Sequence, residues 1–500
     1  MNGRSRFFQR AAVIACVLLI GAGFIPALAQ GDRVEIVIIN TSDEHGWLQP
    51  FTPFGSDVVQ GGAANIYGWW VEREGYDPER MLLLSGGDNW TGPAISTWFQ
   101  GESMVQAFNL MGYDASAVGN HEFDFGQEVL ARRIAEADYP YLGANIRGAE
   151  SGDLADFVEP YIIREVAGVP VGIIGLTTTD TPTTTHPRNI GDLVFADYAE
   201  TLETYVPEMR RAGAAVVVAL THVCVDELAD LAQEVGDLVD AMFGGHCNAF
   251  SARMANGVSI MGGGWAWRSY ARLTITYDRA AGAIAAMDQA LVSVEYSSEN
   301  PVTPDPDLLA LVDGWQARVD ETLAREIGYT ASGLERRSPE MVNWVTDAWL
   351  WAYPAADVAI TNFGGFRDAI PAGPITLADI VAVLPFENRL YDVTLSGAQL
   401  AENLACCGGA VGGITYTRHG GSVEITFMDG RAFDPEAMYH VLVNDFMYFG
   451  GDGYLFQAQD PDAYDTGIQW RQPVIDWTLQ METTPDDPLE NYLDFTLRTP

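Results

Sequence analysis

Five short clusters in the first half of the chain carry residue types that bind cations: Asp43-Glu44-His45, Gly87-Asp88-Asn89, Gly119-Asn120-His121-Glu122, Thr221-His222 and Gly244-Gly245-His246-Cys247-Asn248. Imidazole and carboxylate together suit Zn²⁺, Mn²⁺ and similar borderline ions, and one Asp has two oxygens that can bridge a pair of them. Two such ions held close together activate a water and neutralise phosphoryl oxygens during in-line displacement. Taken alone, each cluster has an ordinary structural reading: Asp43 caps a turn, Asp88 caps a helix after a strand, His222 is a hydrogen-bonded core histidine. The set carries the inference. Four of the seven histidines (His45, His121, His222 and His246) follow directly on strand-like runs. A thiolate-rich structural zinc site is the competing idea, but Cys224 and Cys247 lack the CxxC spacing it would use.

The elements that must position these clusters are legible as alternation. Across residues 31–296, β-branched runs at 34–40, 81–84, 115–118, 171–176, 216–220 and 241–243 alternate with helical patterns, which predicts an α/β layer structure. Ligands gather at the carboxyl ends of strands in open α/β sheets, so the clusters are expected to converge on one crevice. A polar, Pro-containing stretch followed by an amphipathic run over 307–327 predicts a linker with a long helix over residues 297–327. Residues 328–500 read as a second α/β region, with a helix near 341–352, a strand-like 357–361, turns at 362–365 and 408–413, and the loop Gly450-Gly451-Asp452-Gly453.

Arg4, Arg6 and Arg10 precede an apolar run over 11–24 and then Ala27-Leu28-Ala29, which predicts a signal peptide over residues 1–29 and a periplasmic or extracellular protein. An uncleaved anchor is the alternative reading of that run; no later stretch is long and apolar enough to span a bilayer. All 27 basic residues are Arg and the formal charge is −41. Nucleic-acid polymers and anionic membranes are therefore poor partners, and an anionic substrate must meet a local positive site built from metals or clustered Arg. Beyond the leader the cysteines are Cys224, Cys247, Cys406 and Cys407, too few to substitute for a core, and their pairing is left open. The adjacent Cys406 and Cys407 are expected to be structural or incidental. The oligomeric state is not readable from the sequence.

The order Asp-x-His, Gly-Asp, Gly-Asn-His-Glu, His, Gly-Gly-His resembles the calcineurin-like metallophosphoesterases, and residues 119–126, GNHEFDFG, resemble the 5′-nucleotidase family. The resemblance extends over nearly all of the chain past the leader. It implies an N-terminal four-layer α-β-β-α metallophosphatase sandwich over residues 31–296 and a second α/β nucleotide-recognition domain over 328–500, joined by a long helix. It implies that Asp43, His45 and Asp88 bind a first metal, with Asp88 shared, and that Asn120, His222 and His246 complete a second. Asn248 stands where relatives commonly have His or Gln, as the first metal's remaining ligand. His121 and Asp124 match the catalytic dyad.

In the second region, Asn362-Phe363-Gly364-Gly365-Phe366-Arg367, Leu384-Pro385-Phe386-Glu387-Asn388, and Phe446 followed by Asp452 resemble the family's nucleotide site. The resemblance implies that Phe386 and Phe446 sandwich the base, that Asp452 holds ribose hydroxyls and that Asn362 and Arg367 line the phosphate side; on composition alone the two phenylalanines would read as core. Residues 334–347, LERRSPEMVNWVTD, keep the family's Asn343 and Asp347 but carry Ser338 and Val342 where relatives have Glu and Gly, which leaves the roles of Arg336 and Arg337 open. The implied activity is hydrolysis of nucleoside 5′-monophosphates with two divalent ions (Zn, Mn or similar) in an interdomain cleft. Nucleoside di- and triphosphates, UDP-sugars and 2′,3′-cyclic nucleotides are further candidate substrates. Two rivals stand beside it: a thiosulfohydrolase of the same superfamily, suggested by GGDNWTGPAISTWFQG at 86–101, and a non-catalytic nucleotide-binding surface protein. Asn120-His121, Phe386, Phe446 and Asp452, all intact, speak against the first, and the retained ligand types against the second.

Overall fold

Along the strand Arg33–Thr41 the side chains alternate between two cores, Ile36 and Ile38 entering one and Ile39 the other. The computed structural model of the chain describes residues 33–53, 56, 58–297 and 299–500; the expected leader, residues 1–29, lies outside them. Arg33–Thr41 pairs parallel with Met81–Ser85 and antiparallel with Ser269–Asp278. They lie in a six-stranded sheet ordered Ala283–Ser293, Ser269–Asp278, Arg33–Thr41, Met81–Ser85, Ala115–Ala117, Tyr141–Leu142. A second six-stranded sheet runs Phe250–Ala255, Val258–Gly263, Ala241–Gly244, Val216–His222, Val169–Thr177, Tyr161–Val166.

Val216, Val218 and Leu220 meet Ile36, Ile38, Leu82 and Leu84 between the sheets. Val217 and Ala219 face outward to the helices Tyr198–Arg211 and Val225–Val235. Outside the first sheet, Ile39 and Leu83 pack with the helices Glu102–Met111 and Pro306–Leu323. The result is the expected four layers, helix, sheet, sheet, helix. Central strands buried on both faces explain why MLLLS and VVVAL read as continuous apolar runs.

The helix Pro306–Leu323 starts where the Asp305 carboxylate accepts the Asp307 and Leu308 N–H groups at 3.1 and 3.0 Å. Leu308, Val312, Trp315, Val319 and Leu323, three or four apart, bury one stripe against the first region. The sequence predicts helix to residue 327, but it ends at Leu323. Glu326–Thr330 instead pairs with Gly373–Thr376, and Ile327 is buried in the core of the second region.

That region is built on a five-stranded sheet ordered Ala410–Gly412, Val358–Thr361, Met438–Asn444, Arg389–Ser396, Tyr464–Gln469. The helix Pro339–Ala352 covers one face through Trp344, Val345, Ala348 and Trp349, and Gly397–Cys406 covers the other through Leu400 and Leu404. The predicted turn at 408–413 contains the edge strand Ala410–Gly412. A Cβ on Gly412 would sit 3.0 Å from the Thr346 side chain, so a larger residue would have to push that side chain aside by a few tenths of an ångström. Among the described residues no helix is long and apolar enough to cross a membrane.

Asn343 and Asp347 hold the end of the chain. Asn343 Nδ2 donates to the Asp494 and Thr496 carbonyls at 2.7 and 2.9 Å, and Asp347 accepts both Nη groups of Arg498 at 2.5 and 2.7 Å. The Arg498 side chain is 2% exposed, while Asp347 and Asp494 are 27% and 31% exposed. Arg498→Ala is expected to lower the unfolding free energy by about 2–3 kcal/mol, below the cost of breaking a fully buried pair because water still reaches both carboxylates. Urea unfolding measures it, and a change within experimental error would remove the tail from the list of stabilising elements.

Glu490 pins the loop at residues 330–332. Burial acts to raise its carboxyl, but hydrogen bonds from the Ser332 hydroxyl and amide and the Thr330 hydroxyl outweigh it and hold the group down at about 2. A folded-state value below the usual 4.5 means that Glu490 stabilises the fold above that pH, and that this contribution is lost as pH falls toward about 2. The gap in urea midpoint between wild type and Glu490→Gln is expected to close across that window.

Candidate active site

The five clusters converge. Asp43 follows the strand Arg33–Thr41, Asp88 follows Met81–Ser85, Asn120 follows Ala115–Ala117, His222 ends Val216–His222 and His246 follows Ala241–Gly244. The first three strands run parallel in one sheet and the last two parallel in the other, so each set opens its carboxyl ends at one edge. Asp43, His45, Asp88, His246 and Asn248 all have φ between 45° and 68°. Left-handed backbone costs a residue with a side chain about 1–2 kcal/mol, so strain is concentrated in the loops that aim these groups.

The ligand atoms of Asp43, His45 and Asp88 lie within 4.8 Å of one another, as do those of Asp88, His222 and His246, so Asp88 belongs to both groups. His45 Nε2 is 4.0 Å from Asp43 Oδ1 and from Asp88 Oδ2. His222 Nδ1 donates to the Gly86 carbonyl at 2.7 Å, which turns its Nε2 toward Asp88 Oδ2 at 3.0 Å and Asn120 Oδ1 at 3.2 Å; burial opposes charge on this ring, but Asp88 outweighs it and pushes the imidazole up to about 9, so a cation taking the Nε2 position displaces a proton. His246 Nδ1 lies 3.0 Å from the same Asn120 oxygen. Asn248 lines the cavity beside them.

The Asp43 carboxylate is the ligand group left without a partner among the described residues. Both oxygens of the fully buried Asp43 carboxylate lack a hydrogen-bond partner, and burial pushes the group up to about 7. A cation within each group supplies what these atoms lack, and the oxygen and imidazole donors suit Zn²⁺ or Mn²⁺. The residues fit two divalent ions.

His121 stands apart from the two groups. Its Nε2 is 4.0 Å from Asp88 Oδ2, and its Nδ1 is 2.8 Å from Asp124 Oδ2, where a carboxylate can only accept, so Nδ1 carries the proton. Burial opposes charge on this ring, but Asp124 and Asp88 outweigh it and hold the imidazole above its ordinary range.

Supporting groups that sequence reasoning did not assign lie behind these. Buried Glu122 accepts the Asp88 and Gly119 N–H groups through Oε2 at 2.8 and 2.7 Å, and that of Asn89 through Oε1 at 2.7 Å. It clamps two ligand loops together; its position next to His121 was the available signal. The Thr185 hydroxyl donates to the Asn120 carbonyl at 2.8 Å and the Asn189 amide to the Asp124 carbonyl at 2.7 Å. The disulfide Cys224–Cys247, with Cα atoms 5.2 Å apart, ties the loop after His222 to the loop after His246, and Cys406 pairs with its neighbour Cys407.

The second region closes the site. Arg367, partly buried, sets Nη2 3.1 and 3.0 Å from the ring nitrogens of His45. Asn362 Nδ2 donates to Asp452 Oδ2 at 2.8 Å, and its Oδ1 accepts from Asn444 at 3.1 Å. Phe386 stacks on His121 with ring centroids 5.7 Å apart, and Phe446 lies over Gly451, where a Cβ would come within 2.4 Å of the ring. Both rings, with Arg367, Asn362, Asp452 and most of the candidate cation ligands, line one cavity of about 430 Å³ between the two regions. Arg336 Nε donates instead to the Phe366 carbonyl, and neither Arg336 nor Arg337 lines that cavity.

The chain is similar to known proteins over most of its length. Residues 318–460 match the family described as 5′-nucleotidase, C-terminal domain. A 5′-nucleotidase of Vibrio cholerae is 27% identical, covering 92% of each chain. The crystal structure of a 5′-nucleotidase precursor from Thermus thermophilus superposes with a TM-score of 0.79 at 25% identity, over 90% of this chain and 97% of that one. The sulfate thiohydrolase SoxB of the same organism, TM-score 0.73 at 20% identity over 90% and 94%, shares the fold alone. The chain spans 31% and 37% of the length of two longer curated relatives that it also matches.

Proposed function

Because the chain belongs to the 5′-nucleotidase family and is a hydrolase with the calcineurin-like phosphoesterase fold, we propose that it cleaves nucleoside 5′-monophosphates to nucleoside and phosphate using two divalent metal ions. One observation carries the reading: a single cavity joins buried cation ligands to a fixed guanidinium, two aromatic rings and a carboxylate suited to ribose. Asp43, His45, Asp88 and Asn248 would hold one ion, and Asp88, Asn120, His222 and His246 the other. When bound, the ions activate water for attack and neutralise phosphoryl oxygens.

The chain's own groups do the rest. Arg367 gives the phosphoryl group fixed positive charge in a protein whose formal charge is −41. His121, its Nδ1 proton engaged by Asp124, offers Nε2 to the phosphoryl group or to the departing 5′-oxygen. Asp452, oriented by Asn362, accepts ribose hydroxyls. Phe386 and Phe446 supply π faces that take any base, so nucleoside di- and triphosphates, UDP-sugars and 2′,3′-cyclic nucleotides fall within the same proposal. The leader-like residues 1–29 support action outside the cytoplasm.

The test is phosphate release from 5′-AMP, ADP, UDP-glucose and 2′,3′-cyclic AMP with added Mn²⁺, Zn²⁺ or EDTA. Release is expected with metal and not with EDTA. Phe446→Ala is expected to raise KM for AMP by about tenfold, the size of one lost base stack. A protein that binds two ions yet releases phosphate from no nucleotide rejects the proposal, and turnover of a thiosulfate ester would then select sulfate-thiohydrolase chemistry.

A further inference from the structure

The segment spanning the short helices Thr181–Thr184 and Pro187–Ile190 touches both halves of the site. On the catalytic side, Thr185 and Asn189 hold the carbonyls of Asn120 and Asp124. On the other side, His186 Nε2 lies 3.5 Å from Asp445 Oδ2, and the His186 ring packs 5.5 Å from the Phe449 ring. His186 Nδ1 accepts the Arg188 N–H at 3.2 Å, so the ring proton is on Nε2 and points at Asp445. That Nε2 atom is buried and has no hydrogen-bond partner, since 3.5 Å is too long for a good bond.

Asp445 is 2% exposed, and its other oxygen accepts Asn388 Nδ2 at 2.6 Å. It opens the helix Asp445–Tyr448, in which the next residue is Phe446. His186, Asp445, Asn388 and Phe446 all line the cavity that holds Asn120 and Asp124.

We infer that His186 is a positioning residue that couples a base seated at Phe446 to the alignment of Asn120 and Asp124, making turnover selective for phosphate esters that carry a nucleoside. The inference rests on the nucleotide reading above. A base stacked on Phe446 fixes its helix and with it Asp445. Asp445 then draws the Nε2–H of His186 in from 3.5 Å to hydrogen-bond length, and the segment carries Thr185 and Asn189 with it. An ester without a nucleoside reaches the cation ligands without engaging Phe446 and gains nothing from the contact.

The experiment measures kcat and KM for 5′-AMP and for p-nitrophenyl phosphate with the metal-loaded full chain as wild type, His186→Ala, His186→Gln, Asp445→Asn and the double variant His186→Ala/Asp445→Asn. His186→Ala is expected to lower the ratio of kcat/KM for AMP to that for p-nitrophenyl phosphate about tenfold, chiefly through kcat, the size of one hydrogen bond to a charged group. Gln, which can present an N–H at similar reach, is expected to restore most of the ratio, and the double variant to lose no more than either single one. Equal losses on both substrates, or additive losses in the double variant, would overturn the inference. Melting curves identify any variant that fails to fold, and His186→Gln and Asp445→Asn then decide the outcome. A wild type with no preference for AMP over p-nitrophenyl phosphate defeats the nucleotide reading itself, and this inference with it.

Discussion

Asp88→Ala is expected to abolish divalent-ion binding at both positions, with affinity for Mn²⁺ and Zn²⁺ falling by more than the roughly 10–100-fold typical of losing a group that only supports a ligand. Asp88 is the one residue common to both groups of ligand atoms, whereas His45 and His222 each belong to one. His222→Ala should therefore reduce binding by one ion and Asp88→Ala by two. Metal content after dialysis and calorimetric titration measure this directly. A second readout is independent of turnover: an ion at about 100 times its Kd raises unfolding stability by about 2.7 kcal/mol, so added Mn²⁺ should raise the melting temperature of wild type and leave that of Asp88→Ala where it was. The metal-free variant should be less stable than metal-free wild type, so each protein is compared with its own metal-free form. It gives up the bond from the backbone N–H of His121 to Asp88 Oδ1 at 2.8 Å and the contact of Asp88 Oδ2 with His222 Nε2 at 3.0 Å; burial acts to raise the Asp88 carboxyl, but the His222 and His121 rings outweigh it and hold the group well below its ordinary range. Two retained ions in Asp88→Ala would sink the shared-ligand assignment.

The clusters of candidate ligands are legible because strand ends impose a simple grammar. A parallel strand buried on both faces reads as an unbroken apolar run, and the residue types that follow it stand out against that background. Val216–His222 illustrates the point: six buried residues lead straight into a histidine whose ring is fixed by the Gly86 carbonyl of the other sheet. The layers followed from the same runs, since residues of opposite parity in one strand must bury against different partners.

What escaped the sequence is what depends on contacts between distant segments. Asn343 and Asp347 look like part of a substrate motif, yet they bind Asp494, Thr496 and Arg498, some 150 positions away. Nothing in the pattern around 343–347 distinguishes a tail anchor from a substrate contact. The apolar rhythm runs on past the helix end at Leu323 because Ile327 keeps its spacing while lying in a strand of the second region. Glu122 and Asn189 act through backbone groups of Asp88 and Asp124, and a backbone N–H or carbonyl leaves no trace in residue type. Phe386 shows the reverse case: its motif pointed to the site, but its stacking on His121 could be seen only once both regions were assembled.

His121→Ala should separate chemistry from metal binding. His121 belongs to neither group of converging ligand atoms and its Nδ1 is committed to Asp124, so the variant is expected to retain both ions while kcat for 5′-AMP falls about 10²–10⁴-fold, the range for a lost general acid. The two tasks open to the ring differ in their dependence on the leaving group. If Nε2 protonates the departing 5′-oxygen, a nucleoside alkoxide needs that proton and p-nitrophenolate does not, so the loss on p-nitrophenyl phosphate should be much smaller than on AMP. If Nε2 chiefly binds the phosphoryl oxygens, the two losses should match, because both esters present the same phosphoryl group. Asp124→Asn provides the internal check. An amide can offer its oxygen to the same Nδ1–H but cannot stabilise a charged imidazolium, so its loss should follow the same substrate pattern at smaller size. Full AMP turnover in His121→Ala with both ions bound would remove the dyad from the mechanism and leave Arg367 and the ions to carry the phosphoryl charge.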